Sequence, residues 1–361
     1  MGLFSWQLLA IGGCVMGSAS MPTGNQAVLS VLDEAHALER PKFGVGFDLT
    51  ASYGQELRSL VEELPKLTFM QNSSVAKVTA EDGYNEVLQR LSLDSSQHLS
   101  PPYNHLGDSW TDISRQLRRK ARKAIGLPAS QDVGYLAKML SDLRTLVEEQ
   151  IGQPIESAGV ATLNLVALYP EDLQDAFEYV GLRYLTFPVR YKVLYETSAA
   201  YAGYGYGLCS DYTDPNPCKQ EQVDMPSETV MAVLYTRTAL TVSLSILKSA
   251  YYLYEPLERH LLDFSLGYDA RSLSADEEDY WDAVGSKLEQ ILIKNPYYKR
   301  PAKILLLGDC VRDGNFQRTL KKAMSNQTAQ LPEILIEDSE AVAAKGAAEF
   351  AKRIPYDPYK V

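Results

Sequence analysis

Histidine is scarce in this 361-residue chain, with four at positions 36, 98, 105 and 260, and none falls in the His-Glu-x-x-His spacing of a helical metal site. Cysteine is equally rare, with four and no Cys-x-x-Cys pair, which excludes a small scaffold held by disulfides. The Gly-x-Ser-x-Gly elbow of esterase-type nucleophiles is missing, although a Ser-His-Asp triad scattered through the chain stays open. Positive charge is in deficit, with 35 Lys and Arg against 46 Asp and Glu, a net −11 and a pI near 5.0. Generic binding to nucleic acid or anionic lipid is therefore a poor fit, because neutralising phosphates needs clustered Lys and Arg. Beyond residue 19 no apolar stretch approaches the length of a membrane span.

What is present is an ordinary globular composition, 45% hydrophobic and 22% charged, at a length that calls for two packed lobes. Met1–Ala19 carries no charged side chain, and its apolar run from Leu3 to Met16 fits the core of a signal peptide, with small residues at Gly17 and Ala19 before the cut. A buried N-terminal helix or an uncleaved anchor is the alternative. Asn72-Ser73-Ser74 and Asn326-Gln327-Thr328 are glycosylation sequons. Cys209 and Cys218 bracket a turn-rich stretch that a disulfide would close. Together these features point to the secretory pathway or secretion, with Cys310 as the odd thiol of the mature chain.

Periodicity alternates between helix and strand. Leu136, Met139, Leu140, Leu143, Leu146, Val147 and Ile151 recur at helical spacing, and Gly159 to Leu168 reads as a buried strand. Pro170 opens a helix that stops at Gly181, and Arg183 to Leu194 reads as a further strand. Thr229 to Leu247 alternates as two strands. Helices are predicted over Glu255 to Phe264, Asp276 to Lys294 and Val311 to Met324, with strands at Lys303–Leu307 and Glu333–Ile336 and a closing helix capped by Asp338. The polar stretch Cys209 to Ser227 divides the α/β pattern into two halves. The expected organisation is a signal peptide (1–19), an N-terminal extension (20–42), lobe I (43–226), and lobe II with the closing helix (227–361).

Gly46-Phe47-Asp48-Leu49-Thr50-Ala51-Ser52-Tyr53 resembles the Gly-Ile-Asp-Leu-Gly-Thr-Thr-Tyr turn that opens the ATPase domain of seventy-kilodalton heat-shock chaperones. Four further resemblances follow in order. Gly159 to Gly181 is similar to the strand and helix around Val-Pro-Ala-Tyr-Phe, and Tyr195 to Ala202 is similar to Asn-Glu-Pro-Thr-Ala-Ala-Ala-Ile. Ile304 to Arg312 resembles the adenosine-motif strand and turn, and Glu340 to Ala348 resembles Glu-Ala-Val-Ala-Tyr-Gly-Ala-Ala. The nearest pattern is that of a group of fungal actin-like ATPase-domain proteins without a peptide-binding domain. The resemblance implies an α/β, two-lobed actin-like ATPase fold, related to ribonuclease H, with a reduced second lobe.

It also implies a site. Two strand–turn units would offer backbone N–H groups to a phosphate chain, while a carboxylate orders magnesium and its water. Asp48 occupies the place of that carboxylate, as catalytic and metal-binding residue. Glu196 matches the acid that positions the attacking water, or else caps a helix. Arg122 matches a phosphate-facing Lys, or else belongs to a solvated basic helix face with Arg115, Arg118, Arg119, Lys120 and Lys123. Thr50, Ala51, Arg237, Gly308 and Asp309 stand at the remaining nucleotide-contacting positions.

The departures decide the expected activity. Thr50 replaces the first-loop Gly and adds a Cβ where backbone should approach phosphate. Leu234-Tyr235-Thr236-Arg237-Thr238-Ala239 stands where the family has Asp-Leu-Gly-Gly-Gly-Thr. Asp309 brings a carboxylate to the adenosine turn. The expectation is a secreted, chaperone-like pseudo-ATPase or interaction protein without cofactor, nucleic-acid partner or stable membrane insertion after signal cleavage. Its partner would be a protein or peptide, met in the lobe cleft or on a Tyr-rich surface such as Tyr201, Tyr204 and Tyr206 or Tyr251, Tyr252 and Tyr254; the other reading of those tyrosines is core packing. The alternative function is a divergent ATPase using ATP and magnesium through Asp48 and Glu196.

Overall fold

The computed structural model describes residues 43–60, 75–186, 193–251, 253–254, 260–293, 300–327 and 332–356. All of them belong to one compact unit, Pro41–Val361. The expected signal peptide and extension, the Asn72 sequon and Tyr252 lie outside the described residues.

Lobe I is built on β1 (Phe43–Leu49), β2 (Tyr53–Leu60) and β3 (Val75–Thr79), an antiparallel meander. To the other side of β1, β4 (Ser157–Thr162) runs parallel, followed by β5 (Arg183–Tyr184), and β6 (Leu194–Tyr195) also pairs with β4. Helices α1 (Asp82–Leu91), α2 (Leu106–Ala124), α3 (Gln131–Ile151) and α4 (Pro170–Tyr179) fall between β3 and β5, and α5 (Glu196–Gly203) follows β6. Strand alternation sorts β1 into two faces. Val45, Phe47 and Leu49 enter the core, Phe47 meeting Phe177 of α4 at 6.5 Å between ring centroids. Gly44 and Gly46 point the other way, toward α9 (Val342–Arg353), where a Cβ on either would run into the backbone of the helix. Gly346 of α9 meets the backbone of Ala199 in α5 just as closely. The Ala- and Gly-rich closing segment is thus the mark of helices lying at backbone distance.

Lobe II repeats the plan. The connector carries α6 (Pro215–Asp224) and leads into β7 (Glu228–Tyr235). From there β8 (Leu240–Leu247) and β10 (His260–Asp263) complete a second antiparallel meander, and β9 (Leu253–Tyr254) also pairs with β8. β11 (Lys303–Leu307) and β12 (Glu333–Leu335) add in parallel. Counted within each lobe, both sheets have the order 3-2-1-4-5. Val230, Ala232 and Leu234 of β7 face lobe I, whereas Met231, Val233 and Tyr235 face a second core under α7 (Glu277–Ile293) and α8 (Gly314–Gln327).

Several sequence expectations change. The helix predicted over Glu255 to Phe264 is instead, where described, strand β10, because pairing with β8 satisfies its backbone and overrides local propensity. The strand expected over Gly159 to Leu168 ends at Thr162, and of Arg183 to Leu194 the described ends form two short strands. Ala341, not Asp338, caps α9; Asp338 sits at φ 49° and its carbonyl accepts from the Ala341 and Val342 amides. The closing helix, grouped by sequence with lobe II, packs on β1 and α5 of lobe I, since only those glycine-bearing surfaces admit it.

Candidate functional site

The two strand–turn units meet at the centre of the molecule, and their equivalence is visible residue by residue. Thr50 follows β1 and Thr236 follows β7. The Thr50 hydroxyl donates to the Tyr53 carbonyl at 2.8 Å and accepts from the Tyr53 amide at 3.2 Å and the Ser52 amide at 3.4 Å. Thr236 does the same in lobe II: its hydroxyl donates to the Ala239 carbonyl and accepts from the Ala239 amide, each at 3.3 Å. A β-branched residue with a short hydroxyl folds each turn onto itself, which a glycine cannot do.

The turns then bind each other. Thr238 Oγ1 donates to the Ala51 carbonyl at 2.9 Å and lies 2.8 Å from Ser52 Oγ, which accepts from the Thr238 amide at 3.3 Å. Thr197 Oγ1 at the start of α5 and Ser243 Oγ of β8 add a buried contact between the lobes at 2.7 Å. Arg237 points out to solvent and pairs with Asp269 at 3.0 Å.

Behind the turns lies a cluster of acids. Asp48 shares the β1 face of Gly44 and Gly46, is 3% exposed, and its Oδ1 has no hydrogen-bond partner among the described residues. Burial pushes its pKa up to about 7. The Tyr53 hydroxyl is buried without a hydrogen-bond partner among the described residues, and burial first, then the charges of Asp48, Asp309, Glu340 and Glu196, hold its pKa well above the usual phenol value. Glu196 is buried at the first turn of α5. Lys77 of β3 reaches over the Tyr53 ring, 4.0 Å from its centroid, and bridges Asp309 at 3.1 Å and Glu340 at 2.9 Å. The cation that answers Asp309 is thus Lys77 of lobe I. Gly308, at φ 98°, presses against the Tyr235 carbonyl and exchanges hydrogen bonds with Ser339.

Of the residues singled out from sequence, Asp48, Thr50, Ala51, Glu196, Gly308 and Asp309 gather around this junction. Arg122 does not: its Nε donates to the Pro128 carbonyl at 2.8 Å, in an arginine-lined cavity that contains none of them. The basic run on α2 is solvated only in part: Arg115, Arg119 and Lys123 pair with acids of α4, while Arg118 and Lys120 are exposed. Tyr201 stacks on Tyr206 and its hydroxyl donates to Glu228, while that of Tyr251 donates to the Gly346 carbonyl, so both pack within the core. Asn326 is exposed on α8 with its amide on Glu289. Cys209 and Cys218 form a disulfide across a separation of nine, and Cys310 is the free thiol among the described residues. Sequence reasoning missed Ser52, Lys77, Thr236 and Thr238. Thr-Ala-Ser after β1 and Thr-Arg-Thr after β7 were the signal, one hydroxyl pattern repeated in both turns.

The turn amides of Ser52, Tyr53, Thr238 and Ala239 are held by threonine and serine hydroxyls, and the two turns touch each other. Among the described residues no group of three or more His, Cys, Asp or Glu is placed to hold a metal, and no helix is long and apolar enough to cross a membrane.

No protein-family pattern and no curated protein matches the chain. Among solved structures it is similar to ethanolamine utilization protein EutJ from Carboxydothermus hydrogenoformans, at 13% identity over 86% of this chain and 90% of that one, with a TM-score of 0.45. The fold follows from the strand order itself: two lobes, each a 3-2-1-4-5 mixed sheet, joined at their first turns and crossed by a closing helix, form the two-lobed actin-like ATPase fold.

Proposed function

We propose that this protein is a secreted, chaperone-like pseudo-ATPase: an interaction protein that keeps the ATPase fold as a scaffold and recognises a protein or peptide partner. The observation that carries this reading is the direct hydrogen bonding of Thr238 to Ala51 and Ser52, which turns a nucleotide cleft into a lock between lobes. Lys77 supports it, because a lysine neutralising Asp309 and Glu340 does from within the chain what a bound cation would do from outside. In this reading Thr50, Ala51 and Arg237 shape and stabilise the turns, and the degenerate motifs are those of the fungal proteins the sequence resembles. The disulfide is consistent with an extracellular or secretory location. Cleavage near Ser20 and glycans on Asn72 and Asn326 belong to the same proposal.

The alternative, a divergent magnesium-dependent ATPase, is favoured by one observation: the bare Oδ1 of Asp48 is a carboxylate oxygen that a hydrated cation would satisfy. Titration calorimetry with ATP and magnesium, followed by phosphate release from wild type, Asp48→Asn and Glu196→Gln, separates the two. The pseudo-ATPase predicts no saturable heat and no turnover. Hydrolysis by wild type that either substitution abolishes makes the alternative the better account.

A further inference from the structure

Helix α2 is built the wrong way round for a soluble protein. Its charged face looks inward: Arg119 is 6% exposed, with Nη1 on Asp172 and Nη2 on Asp175, both at 2.7 Å, and Lys123 joins Asp175 at 2.7 Å. Arg115 and Gln116 reach Glu171 of the same neighbouring helix. Its apolar side chains look outward. Trp110, Ile113 and Leu117 follow one another at three- and four-residue steps on the face opposite Asp112 and Arg119, and Ala121 and Ala124 continue the stripe. Trp110 is 75% and Leu117 59% exposed, and Ile125 and Leu127 extend the patch past the helix end.

Two exposed cations flank the stripe, Arg118 on one side and Lys120 on the other. Neither acid of the helix, Asp108 or Asp112, is exposed, so the outward face of α2 is positive in a chain whose net charge is −11. Arg118 also lines a cavity of about 290 Å³ that it shares with Arg115, Arg119 and Arg122. One face of an acidic protein is therefore both basic and apolar, with a tryptophan at its edge.

We infer that α2 docks this protein on an anionic membrane surface, its apolar stripe lying in the headgroup boundary and Arg118 and Lys120 meeting lipid phosphates. A ridge of apolar side chains with tryptophan and flanking cations suits a flat interface that offers hydrocarbon below and negative charge above. The charge asymmetry orients the approach, because the rest of the acidic molecule is repelled from the surface that attracts α2. A second copy is a poorer occupant, since pairing two such faces would bring Arg118 and Lys120 against their own kind. The contact is peripheral and inserts no helix across the bilayer.

The experiment is cosedimentation of the full chain with vesicles of phosphatidylcholine alone and of phosphatidylcholine with about a third phosphatidylserine, enough to charge the surface. Binding is expected to the charged vesicles and to fall with salt. Arg118→Gln with Lys120→Gln is expected to weaken it roughly thirtyfold, about fivefold for each cation. Trp110→Ser with Leu117→Ser is expected to weaken it by about tenfold or more. These side chains are exposed, so the fold is retained, and Lys322→Gln on α8 serves as a control that changes nothing. Equal binding to both vesicles, or binding that the α2 variants leave intact, overturns the proposal, the second result placing the contact elsewhere on the chain. Absence of vesicle binding, with a dimer in solution that Leu117→Glu dissociates, or with an acidic protein partner that the α2 variants release, overturns it as well.

Discussion

The two lobes are one design executed twice with different side chains, and the difference shows which features the fold needs and which it merely carries. Both central strands are followed by a threonine that folds its own turn, and both turns present a hydroxyl residue, Ser52 or Thr238, to the other lobe. Two residues before each threonine the lobes diverge. Lobe I has Asp48, buried and short of a hydrogen bond, whereas lobe II has Leu234 at the same place, 2% exposed and packed in the core between the lobes. The backbone accepts a leucine there, so the acid is no requirement of the architecture. The coverings differ as well. Lobe I receives α9 at backbone distance through Gly44, Gly46, Gly159 and Gly346, whereas lobe II is covered by α7 and α8 through larger side chains such as Val284, Leu288, Phe316 and Leu320.

The strongest way to break this comparison is to give both coverings the same extra methyl group. In Gly346→Ala the new Cβ meets the Ala199 backbone, which cannot step aside without moving α5, and a loss on the order of 4 kcal/mol is expected. In Gly285→Ala on α7 the new Cβ lies 3.3 Å from Thr319 Cγ2, the end of a side chain, and the change is expected to stay within about 1 kcal/mol. Urea unfolding of the two variants is the measurement. Equal losses would mean that α9 does not approach α5 at backbone distance.

Making Asp48 resemble its lobe II counterpart comes next. Its folded pKa of about 7 stands above the ordinary 3.8, so between about pH 4 and 7 the folded protein holds a proton that the unfolded chain has released. Sign follows: the folded state is favoured at the acid end, and stability falls as pH rises through that window and is flat above it. The full span is on the order of 4 kcal/mol. Asp48→Asn removes the titration, and is expected to be more stable than wild type by roughly 2–4 kcal/mol at pH 8 and near parity at pH 4. A constant difference between the two unfolding curves from pH 4 to 8 would refute this assignment of the charge.

How much of this was legible in the sequence depended on whether the cause was local. Helix α3 declared itself through its 3.6-residue period and Gly152, and β7 and β8 through alternation. The strand at His260–Asp263 did not, because what makes it a strand is an edge of β8 supplied from elsewhere in the chain. The turn sequences showed the hydroxyls but not their partners, since a contact between Ser52 and Thr238 spans 186 positions. Lys77 lay outside every quoted motif, and its acids come from two other segments. The inward pairing of Arg115, Arg119 and Lys123 was not legible, because the pattern of a helix does not say which face its neighbours claim.

A smaller effect tests the joint between the lobes. The Cys209–Cys218 bridge closes the connector just before β7, and Arg353 of α9 donates to the Cys209 carbonyl at 3.1 Å, so the crossover is fixed to the closing helix. A loop of about ten residues corresponds to roughly 2–3 kcal/mol in the chain-entropy account. Cys209→Ser with Cys218→Ser is expected to lose that amount. Non-reducing peptide mapping of unreduced protein should also recover the linked pair; both thiols alkylating freely would contradict the bridge.

The smallest effect isolates the lock itself. Ser52→Ala and Thr238→Val each remove one hydroxyl from the contact between turns, and each also takes a partner from a backbone group, the Thr238 amide in the first and the Ala51 carbonyl in the second. Only the interaction term of the double-mutant cycle reports the link between lobes. A part-buried hydrogen bond between neutral groups corresponds to about 1 kcal/mol, so the double variant is expected to be that much more stable than the two single losses added together predict. The same cycle sharpens the comparison of the turns, because Thr50→Val and Thr236→Val act within separate lobes and their effects are expected to add. If Ser52 and Thr238 also prove additive, the turns touch without holding each other, and the cleft between the lobes is free to open.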